Sequence, residues 1–208
     1  MFDDNNFTVN PLAILPVQKA QRVYSLAEYL RREENASELH EYYDGTITKL
    51  PMARGPHNEI VGNMTAALKN AIKVSPNTFR LFTGQQLVYL PTFNYGLYPD
   101  VLVVAEAPQY WDNNQVLLIN PILIVEVLSK STKKYDRTEK FAEYKTLSSF
   151  QEYLLIDPNK CSVESRFREE PNLWRDTFVT ELSASIALKS IGCSLDLEDI
   201  YENIVFKK

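Results

Sequence analysis

The stretches Tyr98-Pro-Asp-Val-Leu-Val-Val104 and Pro121-Ile-Leu-Ile-Val-Glu-Val-Leu-Ser129 decide the reading of this chain. Each is an apolar run of strand length marked by a proline. Asp100 opens the first run, and Glu126, 26 residues further on, sits inside the second. A carboxylate among aliphatic residues neutralises, pairs or binds a cation, because burying an unpaired charge is too costly. If the two strands pair with their ends in register, Asp100 and Glu126 meet at one edge of a sheet. Two carboxylates there suit a hard divalent cation.

The surrounding chain supports a domain built on these strands. With 208 residues, 45% apolar and 12% aromatic, it fits one compact domain with a substantial core, which argues against disorder and coiled coil. Its strongly apolar stretches stop near about eight residues, far short of a membrane span. The start, Met1-Phe-Asp-Asp-Asn-Asn, lacks the basic and apolar regions of a signal peptide, so the expected location is cytoplasmic. Cys161, Cys193, His40 and His57 show neither a disulfide framework nor zinc-site spacing. A formal charge of −5 argues against a general nucleic-acid coat, although carboxylates that hold metal ions inflate that count.

Residues 1–22 read as an N-terminal arm and residues 23–208 as a single domain. Ser25-Leu-Ala-Glu28 is a capping box that predicts a helix from Leu26 to about Glu34. Asp44-Gly45 predicts a hairpin within Leu39–Leu50. Pro56 precedes a one-sided apolar stripe (Ile60, Val61, Met64, Leu68, Ala71, Ile72) that marks a helix packed on the sheet. Strands are expected at 81–90, 98–104, 121–128, 153–156, 161–167 and 173–180, and further helices at 136–148 and near 196–203. The order gives an α/β (α+β) domain with a mixed sheet and few helices.

The ordered set Tyr98-Pro-Asp-Val-Leu-Val-Val104, Pro121 to Ser129, Asp136-Arg-Thr-Glu-Lys140, Tyr144 and Glu152-Tyr-Leu-Leu-Ile-Asp-Pro158 resembles the PD-(D/E)xK nuclease superfamily, and within it the Uma-two family of restriction-endonuclease-like proteins. Glu41-Tyr-Tyr-Asp-Gly45 and His57 fall where that family has similar residues, and the resemblance spans roughly residues 23–185. It implies a restriction-endonuclease-like core with a central mixed β-sheet flanked by helices. It also implies Mg2+ or Mn2+ held by Asp100 and Glu126, a DNA substrate and phosphodiester hydrolysis. A homodimer is the expected form, since enzymes that cut both strands usually work in pairs.

One position departs from the superfamily pattern. A lysine belongs two residues after the second acid, and this chain has Leu128. Such a lysine balances developing phosphorane charge or orients the attacking water. Lys140 is the candidate replacement, because positions 140, 144 and 147 share a helix face with Tyr144 and Leu147, which points the lysine inward. Lys130 is its rival but sits in the polar run Ser129-Lys-Ser-Thr-Lys-Lys134. Residues 130–145 carry six bases against three acids, a phosphate-facing rim or a solvated face.

Simpler readings stand beside these. Asp100 after proline could cap a turn, and Glu126 could form a structural pair with Lys140. Glu41 is a further ligand or water-positioning acid, or the solvent face of a strand. His57 reads as a residue of a helix N-terminus and is left out of the catalytic set. The rival to a nuclease is a catalytically inactive relative that binds nucleic acid or a protein partner on the same fold.

Overall fold

The computed structural model describes residues 22–111, 113 and 115–206. The arm expected over residues 1–22 lies, Arg22 aside, outside the described residues. Helix α1 (Leu26–Glu33) carries the expected capping box: Ser25 Oγ accepts from the Glu28 N–H at 3.3 Å, and the Ser25 N–H donates to Glu28 Oε2 at 2.9 Å. Strands β1 (His40–Tyr43) and β2 (Thr46–Lys49) form the hairpin. Asp44 and Gly45 both take positive φ at its turn, +41° and +97°, which matches the twist of the strands.

Gly45 is needed there twice over, since a Cβ at its left-handed φ would also collide with Val23 Cγ1. Gly45→Ala is expected to destabilise the protein by about 1–2 kcal/mol, read as a lowered urea midpoint; an unchanged midpoint would show that the turn is not under this constraint.

Helix α2 (Gly55–Lys73) follows, then β3 (Phe79–Thr83), β4 (Val88–Leu90), β5 (Tyr95–Leu97), β6 (Val101–Ala105) and β7 (Leu123–Val127). After α3 (Lys133–Arg137) and α4 (Glu139–Tyr144) come β8 (Glu152–Ile156), β9 (Val163–Glu170), β10 (Leu173–Val179), the hairpin β11 (Ser185–Leu188) with β12 (Cys193–Asp196), and α5 (Leu197–Ile200). The central sheet runs β10-β9-β8-β7-β6-β3, and a four-stranded sheet runs β2-β1-β5-β4. All pairs in the central sheet are antiparallel except β7 with β8. That pair is parallel because the chain crosses between them through α3 and α4.

Both faces of the central sheet are covered. On one, Val101, Val103, Leu123, Val125 and Leu154 pack against Ile60, Met64 and Leu68 of α2 and Leu197 and Ile200 of α5. On the other, Leu102, Val104, Ile124, Leu128, Tyr153 and Leu155 meet Tyr144, Leu147 and Phe150 and residues of β4 and β5. Two-sided burial is why residues 122–128 read as a continuous apolar run rather than an alternating one.

Four local expectations are corrected. The strand expected at 81–90 is split at the Gly84 turn into β3 and β4, which join different sheets. The strand expected from Tyr98 begins at Val101, after Pro99 and the end of β5. The helix expected at 136–148 begins at Lys133 and breaks at Thr138, whose hydroxyl donates to the Lys134 carbonyl at 2.8 Å and competes with the helical ladder. The β11–β12 hairpin forms between residues 180 and 196, where no strand is expected.

Candidate active site at the end of the central sheet

The β6–β7 register pairs Val101 with Val125, so one step further places Asp100 across from Glu126. The Val127 N–H donates to Asp100 Oδ2 at 2.7 Å, fastening the first acid to the strand of the second. Glu126 is only 5% exposed. The ends of the two strands therefore meet, and the two carboxylates share one edge.

Lys140 reaches Glu126 from the first turn of α4. Its ammonium lies 2.8 Å from Glu126 Oε1 and 3.6 Å from Glu41 Oε1, and it is as buried as its partners. The Tyr144 hydroxyl, one turn along, donates to the same Glu126 oxygen at 3.3 Å. Glu41 comes from β1 in the other sheet; it accepts from the Tyr43 hydroxyl at 2.6 Å and from the Tyr98 N–H at 3.2 Å. Lys140 thus joins acids from two sheets.

Leu128 is 2% exposed and packs in the apolar cluster with Tyr144 and Leu147. A lysine at that position would displace core, whereas Lys140 brings its charge in from the helix side. Lys130 is exposed. Of the expected basic rim, Lys133 donates to Asp157 at 2.8 Å and Arg137 pairs with buried Glu164, so these two serve the protein's own acids. Lys134 and Lys145 are exposed, with the Lys145 ammonium 5.0 Å from the Phe141 ring centre.

Two further residues stand at the site. His57, in the first turn of α2, places Nε2 3.0 Å from Asp100 Oδ1. Asp136 on α3 is 4% exposed and lies in the field of Asp100, Lys140 and Glu41. Sequence reasoning gave neither a site role. The His57 contact spans 43 positions, and no local pattern signals it; Asp136 had only its i,i+4 spacing to Lys140 as a clue.

The electrostatics follow from burial and crowding. Burial pushes the Glu126 carboxyl well above the usual range, Lys140 pulls the other way, and Asp100 and Asp136 add to the rise. Burial likewise raises Asp136, with Lys140 opposing and Asp100 and Glu41 reinforcing. Burial works against charge on Lys140, yet Glu126, Tyr144, Glu41 and Asp136 hold it firmly protonated. Burial also opposes charge on His57, but its bond to Asp100 raises it overall. Among the described residues no three His, Cys, Asp or Glu side chains converge as a ready-made chelate, and no helix is long and apolar enough to cross a membrane.

Comparison with known proteins places the chain in a family. An uncharacterised protein of Synechocystis sp., sll1609, is 37% identical over 161 residues, covering 77% of this chain and 88% of that protein. A second from the same organism, slr1290, is 31% identical over 181 residues, covering 86% and 92%. The fold matches the crystal structure of a protein from Anabaena variabilis described as "a putative nuclease belonging to DUF820", with a TM-score of 0.70, 20% identity, and coverage of 88% of this chain and 99% of that one. Residues 26–198 match the model of the Uma2 family, described as "Putative restriction endonuclease", and the chain belongs to that family.

Proposed function

We propose that this protein is a metal-dependent DNA endonuclease that hydrolyses phosphodiester bonds, with Asp100 and Glu126 as the ligands of Mg2+ or Mn2+. The observation that carries the proposal is the junction itself: two carboxylates facing each other across β6 and β7, with the Lys140 ammonium 2.8 Å from one of them. The donor set fits a hard cation. Asp100 and Glu126 offer oxygen ligands, and Glu126 and Asp136 hold protons more tightly than free acids, through burial first and neighbouring carboxylates after it. A divalent charge would relieve that crowding. Magnesium keeps several waters and is commonly held by one or two protein carboxylates, so a two-acid site is sufficient.

When bound, such an ion polarises the phosphate and makes water a better nucleophile. Lys140 contributes a positive charge that stays put in a dry site, where charge developing on the phosphate is stabilised most strongly. Glu41, held by Tyr43 and Tyr98, is placed to orient the attacking water. The working form we propose is a cytoplasmic homodimer. The alternative, a catalytically inactive relative that binds nucleic acid or protein, draws on the same contact, since the Lys140 ammonium already partners Glu126.

Incubation of a labelled DNA duplex with the protein in Mg2+, in Mn2+ and in EDTA tests this reading. Cleavage is expected with either ion and lost in EDTA. Cleavage that persists in EDTA would sink the metal-dependent mechanism, and no cleavage with either ion would favour the inactive relative.

A further inference from the structure

Asp100 stands at the start of a strand, after a proline, and its carboxylate has two fastenings. Oδ2 accepts from the Val127 N–H at 2.7 Å, and Oδ1 faces His57 Nε2 at 3.0 Å. The first is main chain, next in sequence to Glu126. The second is a side chain carried by α2, and α2 is anchored one turn later by Ile60, which is 0% exposed, as are Met64 and Leu68 further along. His57 therefore puts a polar tip on a rigid element at the mouth of the site, where its side chain is 18% exposed and that of Asp100 21%.

The chemistry of the contact has one direction. An ionised carboxylate only accepts, so His57 Nε2 must carry the proton, in the neutral ring or in the charged one. That nitrogen is then unable to ligate a metal. It is instead placed to hold the carboxylate in one orientation, in the way residues behind a ligand fix it for the ion.

We infer that His57 is a positioning residue of the cation site, fixing Asp100 through Oδ1 so that Asp100 and Glu126 present their remaining lone pairs to one ion. The inference rests on the proposed metal-dependent reading of the site. It gives α2 a role beyond packing: the helix sets the ligand geometry from the opposite side to the helix that delivers Lys140. The bland alternative is that His57 is a counter-charge for Asp100, which an arriving cation would have to displace. The two differ in sign, because loss of a competing charge tightens cation binding and loss of a positioning donor weakens it.

Calorimetric titration of Mn2+ into wild type, His57→Leu, His57→Gln and Asp100→Asn separates them. Leucine has similar bulk and no donor; glutamine carries an amide donor of comparable reach. His57→Leu is expected to weaken Mn2+ binding by about 10–100-fold, while His57→Gln stays close to wild type and Asp100→Asn loses binding. In cleavage assays the leucine variant should need more Mg2+ for half-maximal rate, with kcat little changed at saturating metal. Binding by His57→Leu as tight as wild type, or tighter, overturns the inference, and so does equal weakening in the leucine and glutamine variants. If wild type itself takes up no Mn2+, the metal reading of the site falls and this inference with it, a result distinct from the other two.

Discussion

Lys140→Met is expected to destabilise the protein by about 3 kcal/mol, because removing one partner of a buried ion pair strands the other. Here it strands more than one. Lys140 lies 2.8 Å from Glu126 and 3.6 Å from Glu41, and it is the chief influence lowering the proton affinity of both Glu126 and Asp136. Methionine keeps most of the side-chain length and packing, so the loss reports on the charge. The same change should reduce cleavage by about 10²–10³-fold, the usual effect of removing one preorganised group that stabilises transition-state charge.

The pH dependence of this variant has a definite sign. In wild type the Glu126 carboxyl already sits above its ordinary 4.5, through burial first and then Asp100 and Asp136, against the pull of Lys140. Without Lys140 the folded state holds that proton over a wider pH range than the unfolded chain. A carboxyl raised in the folded state favours folding below its unfolded value and ceases to do so as pH rises through the folded one. The deficit of Lys140→Met against wild type should therefore be larger at about pH 8 than at about pH 5. Urea melts at the two pH values measure it, and equal deficits would show that Lys140 does not govern the protonation of Glu126.

Much of this site could be read from particular residues. Glu126 inside an aliphatic run had to face a cation or a partner, and the helical spacing of Lys140 with Tyr144 aimed the lysine at it; the 2.8 Å contact realises that placement. Asp44-Gly45 gave the hairpin that presents Glu41. Local pattern was silent wherever distant segments decide the outcome. His57 meets Asp100 because α2 packs against β6 and β7, and Asp136 is buried on α3, ahead of the break at Thr138. Likewise, Lys133 and Arg137 looked free for phosphate until Asp157 and Glu164 came within reach. Residues 81–90 read as one strand since nothing in their apolar pattern says that the two halves join different sheets.

Glu126→Gln is the complementary change, keeping the shape and removing the charge. Its structural effect should be smaller than that of Lys140→Met, because the ammonium retains Glu41 and the field of Asp136. Its effect on cleavage should reach the upper end of the range given for Lys140→Met. A metal clamp on a phosphate contributes several kcal/mol to the transition state, and ~4 kcal/mol corresponds to about a thousand-fold in rate. Asp100→Asn removes the facing ligand and should behave in the same way, with its hydrogen bond from Val127 still available to the remaining amide oxygen.

Conversion of supercoiled plasmid in Mg2+ by wild type, Asp100→Asn and Glu126→Gln bears most directly on the central claim. Wild type is predicted to nick or linearise the plasmid while both folded variants leave it supercoiled; equal conversion by all three proteins would contradict the assignment of Asp100 and Glu126 as the cation-holding pair.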